Sequence, residues 1–166
     1  LDTDLVVVFV EQDGALLPKG TGPGPQDAPP AHQVGECLCG LAAQTGQPAI
    51  STDIRKDARC TWRDCLDVGI VSFAAFPLRL GDETLGVLGV GSRTPRDFAH
   101  SAGLLTAAAD QLVLGVRNAR LYDESLAHAH DLAQEMPDKL AELQAVFLEE
   151  ARRYNVLPLD DRRVER

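Results

Sequence analysis

A chain of 166 residues, 45% hydrophobic and 25% charged, is long enough for one well-filled core and an appendage. A formal net charge of −9 without any basic cluster argues against a nucleic-acid-binding surface. No apolar run approaches the roughly 20 residues of a membrane span and no signal-peptide pattern is visible, so a cytoplasmic chain is expected. The opening at Leu1, almost directly into a strand, points to a piece of something longer.

Residues 5–10 (Leu-Val-Val-Val-Phe-Val) form an apolar, β-branched run and predict a buried strand. Asp13-Gly14 reads as a turn, with residues 15–19 returning as a second strand. Residues 20–30 hold four prolines and three glycines, which leaves no room for a regular element. Residues 37–44 predict a short helix ended by Gly46, with Pro48 just beyond. A brief strand at 49–51 follows, then a polar turn or short helix over 57–68.

Residues 71–80 and 84–92 are two apolar runs around a polar turn at 81–83, which is a hairpin signal. Both runs are continuous rather than alternating, so both sheet faces should be covered. Pro77 removes a ladder donor and should sit at a bulge or an unpaired side. Gly86, Gly89 and Gly91 mark places where another element approaches the backbone closely.

Asp97 reads as the N-cap of a long helix. Its heptads carry Leu105, Leu112, Ala119, Leu126 and Ala133 on one seam, and Ala108, Gly115, Tyr122, Ala129 and Met136 on the other. The early turns should pack on the sheet, whereas the later turns lack a partner within the domain. A helix from a second subunit would supply one, making a homodimer. Pro137 suits the first turn of a further helix, whose stripe is Leu140, Leu143, Phe147, Ala151 and Tyr154.

Several of these residues together resemble the GAF family of sensory domains over residues 1–124. They are Gly40-Leu-Ala-Ala-Gln-Thr-Gly-Gln-Pro, Asp53, Asp57, Arg59, Gly69, Ser72, Phe76-Pro77-Leu78, Leu85-Gly86-Val87-Leu88, Ser92 and Asn118-Ala119-Arg120-Leu121-Tyr122. The resemblance implies an α/β (α+β) fold with a central antiparallel sheet flanked by helices, a long exit helix and a short helical tail. The family's N-terminal helix would be missing. It also implies a non-catalytic sensory module from a signal-transduction protein such as a histidine kinase, sensing a small ligand or a redox or metal state. A segment near 20–30 borders the family's pocket, so this loop is either a lid or a plain surface connection. The cyclic-nucleotide motif of some members is not found. The Asp-Ile-Pro of bilin-holding members is Asp53-Ile54-Arg55 here.

Residues 125–136 continue the exit helix. From about residue 131, and over 137–166 in particular, the tail resembles the C-terminal end of arylsulfatase-family proteins. The matching strings are Lys139-Leu-Ala-Glu-Leu-Gln, Glu149-Glu-Ala and Tyr154-Asn-Val-Leu-Pro-Leu-Asp-Asp-Arg162. That family's catalytic Cys motif has no counterpart at any cysteine here. A hydrolase fragment and a purely structural dimerisation module are the competing functional classes.

The candidate site residues are Cys37, Cys39, Cys60 and Cys65, spaced C-x-C, twenty residues, C-x₄-C. In a cytosolic chain such pairs point to metal binding or redox chemistry. Four thiolates suit zinc or an iron–sulfur cluster. A redox-active pair and ordinary buried thiols are the alternatives. In the resembled fold the Cys37 helix and the Cys60 loop both border the pocket. The histidines are scattered, and His128 and His130, two apart on a helix, share no face and should be solvated. No Ser-His-Asp arrangement is legible. Gly20-Thr-Gly-Pro-Gly lacks the Lys-Ser/Thr ending of a phosphate loop.

Overall fold

The computed structural model describes residues 3–22 and 29–154. The middle of the 20–30 loop and the arylsulfatase-like string after Tyr154 lie outside the described residues. So do the side chains of Ala129, His130 and Ala133, on which two heptad positions and one histidine expectation rest.

Among the described residues, strands β1 (Leu5–Gln12), β2 (Ala15–Thr21), β3 (His32–Gln33), β4 (Ala49–Ser51), β5 (Ser72–Leu80) and β6 (Glu83–Ser92) form one sheet. Its order is β3-β2-β1-β6-β5-β4, and every neighbouring pair is antiparallel. Helices α1 (Cys37–Thr45) and α2 (Asp64–Asp67) fall between strands, and α3 (Ala102–Glu135) and α4 (Pro137–Arg153) follow them. The expected α/β fold with a central antiparallel sheet and a long C-terminal helix is therefore present.

The hairpin closes where its turn residues lie, with Leu80 opposite Glu83. The bulge falls between Leu78 and Arg79, one residue past Pro77. Strand β4 pairs only with Phe73, Ala74 and Ala75, so Pro77 lies beyond it, where β5 is paired on one side. That position spares the missing donor.

Alternation in β1 and β5 divides the core in two. Leu5, Val7, Phe9, Phe73 and Ala75 face a cluster with Leu38, Cys39 and Ala42 of α1. Ala74, Phe76, Leu78, Leu88 and Val90 face Leu105, Ala109 and Val113 of α3, with Val6 and Val8 packed alongside. Both sheet faces are covered, which is why the strands read as continuous apolar runs.

Asp97 caps less directly than expected. Its side chain accepts from the Ala99 N–H of a 3₁₀ turn, Phe98–Ser101, and α3 starts after that turn. Of the two heptad seams, Leu105 is buried and Leu112 half-buried against the sheet, whereas Ala108, Gly115, Tyr122 and Leu126 are exposed.

Among the described residues, those up to Ala119 form one compact unit and those from Arg120 to Tyr154 another. In the second, Pro137 stands in the first turn of α4 as its sequence requires. The stripe on α4 is covered at Ala151 alone. Leu140, Leu143, Phe147 and Tyr154 are exposed.

Candidate functional site

A cavity of about 240 Å³ opens between the sheet and α1–α2. Leu5, Val7 and Phe9 of β1 and Phe73 of β5 make its apolar floor. The Phe73 ring lies where a side chain at Gly89 would be. A Cβ there would come within 2.7 Å of Phe73 Cζ and 2.8 Å of Val7 Cγ1. The absence of a Cβ at Gly89 thus leaves room for the ring against β6.

The polar groups come from the short elements around the floor. His32 of β3 is buried, and its Nδ1 is the buried side-chain nitrogen or oxygen atom with no hydrogen-bond partner among the described residues. Its ring stacks edge-on against Phe9 at 5.1 Å and Trp62 at 4.3 Å. Burial pulls its pKa below the ordinary histidine value, against the nearby Asp64 and Glu36 carboxylates. Asp64, Asp67, Cys39 and Cys65 complete the polar lining, with Thr21, Pro29 and Pro30 on the side of the 20–30 loop.

The cysteines divide into two pairs. Cys39 and Cys65 line the cavity, and burial pushes both thiols up, Cys65 to about 12. Cys37 and Cys60 face each other with their sulfurs 3.7 Å apart. The Cys60 thiol, followed by the backbone N–H groups of Trp62, Leu38 and Thr61, holds Cys37 down at about 6, against the effect of burial. The same contact, with burial, pushes Cys60 up.

Local sequence explains how Cys37 is presented. It is the first residue of α1 and has φ +55°, a left-handed conformation costly for a residue with a Cβ. The tight turn before it needs Gly40. A Cβ at that position would meet the Gln33 carbonyl oxygen and, at 2.8 Å, the Gly35 nitrogen. With no Cβ there, Gly35 N–H donates to the Gly40 carbonyl and Gly40 N–H to the Glu36 carbonyl, each at 2.9 Å. On the other side, Arg59 bonds Asp57 at 2.7 Å and the Ile50 carbonyl of β4 at 2.8 Å. Cys60 N–H donates to the Asp57 carbonyl. The Cys60 turn is therefore tied to the sheet, and the Arg59 guanidinium holds the Asp57 carboxyl well below the usual carboxylate range.

Among the described residues, no group of three or more His, Cys, Asp or Glu side chains is arranged to hold a metal ion. The four-sulfur cage expected of Cys37, Cys39, Cys60 and Cys65 is thus not assembled among them. Two thiols converge, and the other two face the cavity. Spacing along the chain does not report which way each side chain points, so it could not separate the pairs. His32 and Trp62 were missed from the sequence. Strand β3 has two residues, too few to show a period, and a lone histidine after two prolines carries no pattern.

Residues 4–117 match the family model described as GAF domain. The Nif-specific regulatory protein of Herbaspirillum seropedicae is 30% identical over 123 residues, covering 70% of this chain and 22% of that protein. The chain thus spans about a fifth of the length of this curated relative. Among solved structures, the GAF domain of a phosphoenolpyruvate-protein phosphotransferase from Coxiella burnetii superposes with TM-score 0.64 at 20% identity, covering 74% of this chain and 76% of that one. A type II free methionine-R-sulfoxide reductase from Thermoplasma acidophilum gives 0.62 at 19% identity, covering 70% and 80%. The family match ends at residue 117, and the arylsulfatase-like tail gains no support from it.

Proposed function

Because this chain belongs to the GAF domain family, we propose that it is a non-catalytic sensory module of a signal-transduction protein, taking a small ligand into the cavity and signalling through α3. The name of the Herbaspirillum relative supports the regulatory class. A histidine kinase, or a regulator of the kind that name describes, is the protein this module would serve.

The observation that carries the reading is the apolar cavity with one buried, unpartnered histidine nitrogen. An unsatisfied buried polar atom costs about 1–3 kcal/mol, which a ligand group bonded to His32 would recover. At about 240 Å³ the cavity is smaller than a drug-sized site. Its charged lining groups are Asp64 and Asp67, both carboxylates, so a neutral or cationic ligand is favoured over an anion.

Signalling follows from sheet geometry. Val7 and Phe9 touch the cavity, and Val6 and Val8, between and beside them, belong to the cluster holding Leu105, Ala109 and Val113 of α3. A ligand that shifts β1 therefore acts on α3 through a single layer. The exposed Ala108, Gly115 and Tyr122 are the face we assign to a second copy of the chain.

The test is a thermal-shift screen of small neutral and cationic metabolites, followed by sedimentation of the chain with and without any hit. A ligand at a hundred times its Kd should add about 2.7 kcal/mol. For a unit of this size that is a rise of about 10 °C in Tm. A broad library that gives no shift, or a hit whose effect persists in His32→Phe, overturns the cavity as sensor. Turnover of free methionine-R-sulfoxide with a dithiol donor, the activity named for the Thermoplasma relative, overturns the non-catalytic part.

A further inference from the structure

Cys37 and Cys60 are outside the cavity lining, and ligand sensing makes no use of them. Yet three independent features meet at this pair. The sulfurs are 3.7 Å apart, with no disulfide between them. Cys37 is at the N-terminus of α1, where unpaired backbone N–H groups favour an anion. Its backbone is held at φ +55°, and strain of that kind collects at functional positions.

We propose that Cys37 and Cys60 form a peroxide-reactive dithiol, in which Cys37 attacks a small hydroperoxide and Cys60 resolves the product to an intramolecular disulfide. The Cys37 thiolate attacks the nearer peroxide oxygen. An S–O bond forms, the O–O bond breaks, and the departing oxygen takes up a proton and leaves as alcohol or water. Cys37 is then a sulfenic acid. Cys60 sulfur attacks Cys37 sulfur, the S–S bond forms, and the S–O bond breaks. The leaving hydroxide takes the Cys60 proton and departs as water. Two thiols and one hydroperoxide thus become one disulfide, one alcohol or water, and one further water.

The site suits this chemistry in access as well as in geometry. Cys37 keeps 8% of its surface exposed and Cys60 is half-buried beside it, so the pair meets solvent through Cys60. The lowered pKa of Cys37 supplies thiolate at neutral pH. Cys39 and Cys65 face the cavity with raised pKa values and are poor competitors. Closing the bond requires an approach from 3.7 Å to about 2.05 Å. That draws on the 60–62 segment, whose Trp62 stacks against His32, so oxidation reaches the cavity wall.

The test treats the reduced full chain with one equivalent of hydrogen peroxide, counts thiols and maps disulfides by non-reducing peptide mass analysis. Two of the four thiols should disappear, with a single Cys37–Cys60 cross-link that dithiothreitol reverses. At pH 6 the reaction should run faster than with free cysteine, because the lowered Cys37 pKa supplies a larger thiolate fraction that outweighs a lower intrinsic nucleophilicity. In Cys60→Ser the sulfenic acid should persist and be trapped by dimedone on Cys37. Cross-linking of any other pair, links between chains, or a pH 6 rate equal to that of free cysteine overturns the proposal. The wild-type map stands by itself if the variant does not fold.

Discussion

Gly89→Ala tests the packing on the cavity face. The added methyl would be 2.7 Å from Phe73 Cζ and 2.8 Å from Val7 Cγ1, well inside van der Waals contact. Both atoms are side-chain ends, so they can yield, and the free side is the cavity they line. Overpacking of this kind costs about 1–3 kcal/mol. Loss of unfolded-state freedom returns about 0.4–1 kcal/mol. The net is a loss of about 1–2 kcal/mol, or about 4–8 °C in Tm at roughly 2.1 cal/mol/K per residue over a unit of this length. The displaced ring should also shrink the cavity and reduce any ligand-induced shift. Gly103→Ala is the control, since a Cβ there meets nothing within 4 Å in the exposed first turn of α3, away from the face assigned to a second copy. It should stabilise by about 0.5–1 kcal/mol, because glycine is a poor helix former. Calorimetry of both variants at two protein concentrations separates folding from self-association. A Gly89→Ala variant as stable as wild type, with an unchanged ligand response, would refute the close packing of Phe73 on β6.

Two further predictions follow from the buried histidine and from the second unit. His32 has a folded pKa below its ordinary 6.5, so the unfolded chain binds more protons and stability falls as the pH drops through 6.5 towards the folded value. Tm measured from pH 7.5 to 5 should decline in wild type and less in His32→Phe; equal slopes would show that His32 is not the group being titrated. Truncation after Glu135 removes α4, whose Leu143 and Phe147 are exposed. It should change the stability of the 1–119 unit by no more than about 0.5 kcal/mol, the range of surface changes, and a larger loss in denaturant unfolding would show that α4 supports it.

What the amino-acid order determined by itself was the set of elements that carry a repeating physical signal. The β-branched run at 5–10, the hairpin around Gly81, the Gly46 stop of α1 and the Pro137 start of α4 all follow from local propensity, turn chemistry and period. The resemblance to the GAF family rested on such residues too. Tertiary structure alone decided what depends on direction in space. It placed Leu105 and Leu112 against the sheet and left Ala108 and Gly115 exposed, although the heptad treats the two seams alike. It added the two-residue strand β3, which exists because β2 offers an edge to pair with. Above all it sorted the cysteines. Residues 37 and 39 are two apart on one helix and so point roughly 200° apart around its axis. One turns towards Cys60 and the other towards the cavity, and no spacing in the chain reveals which.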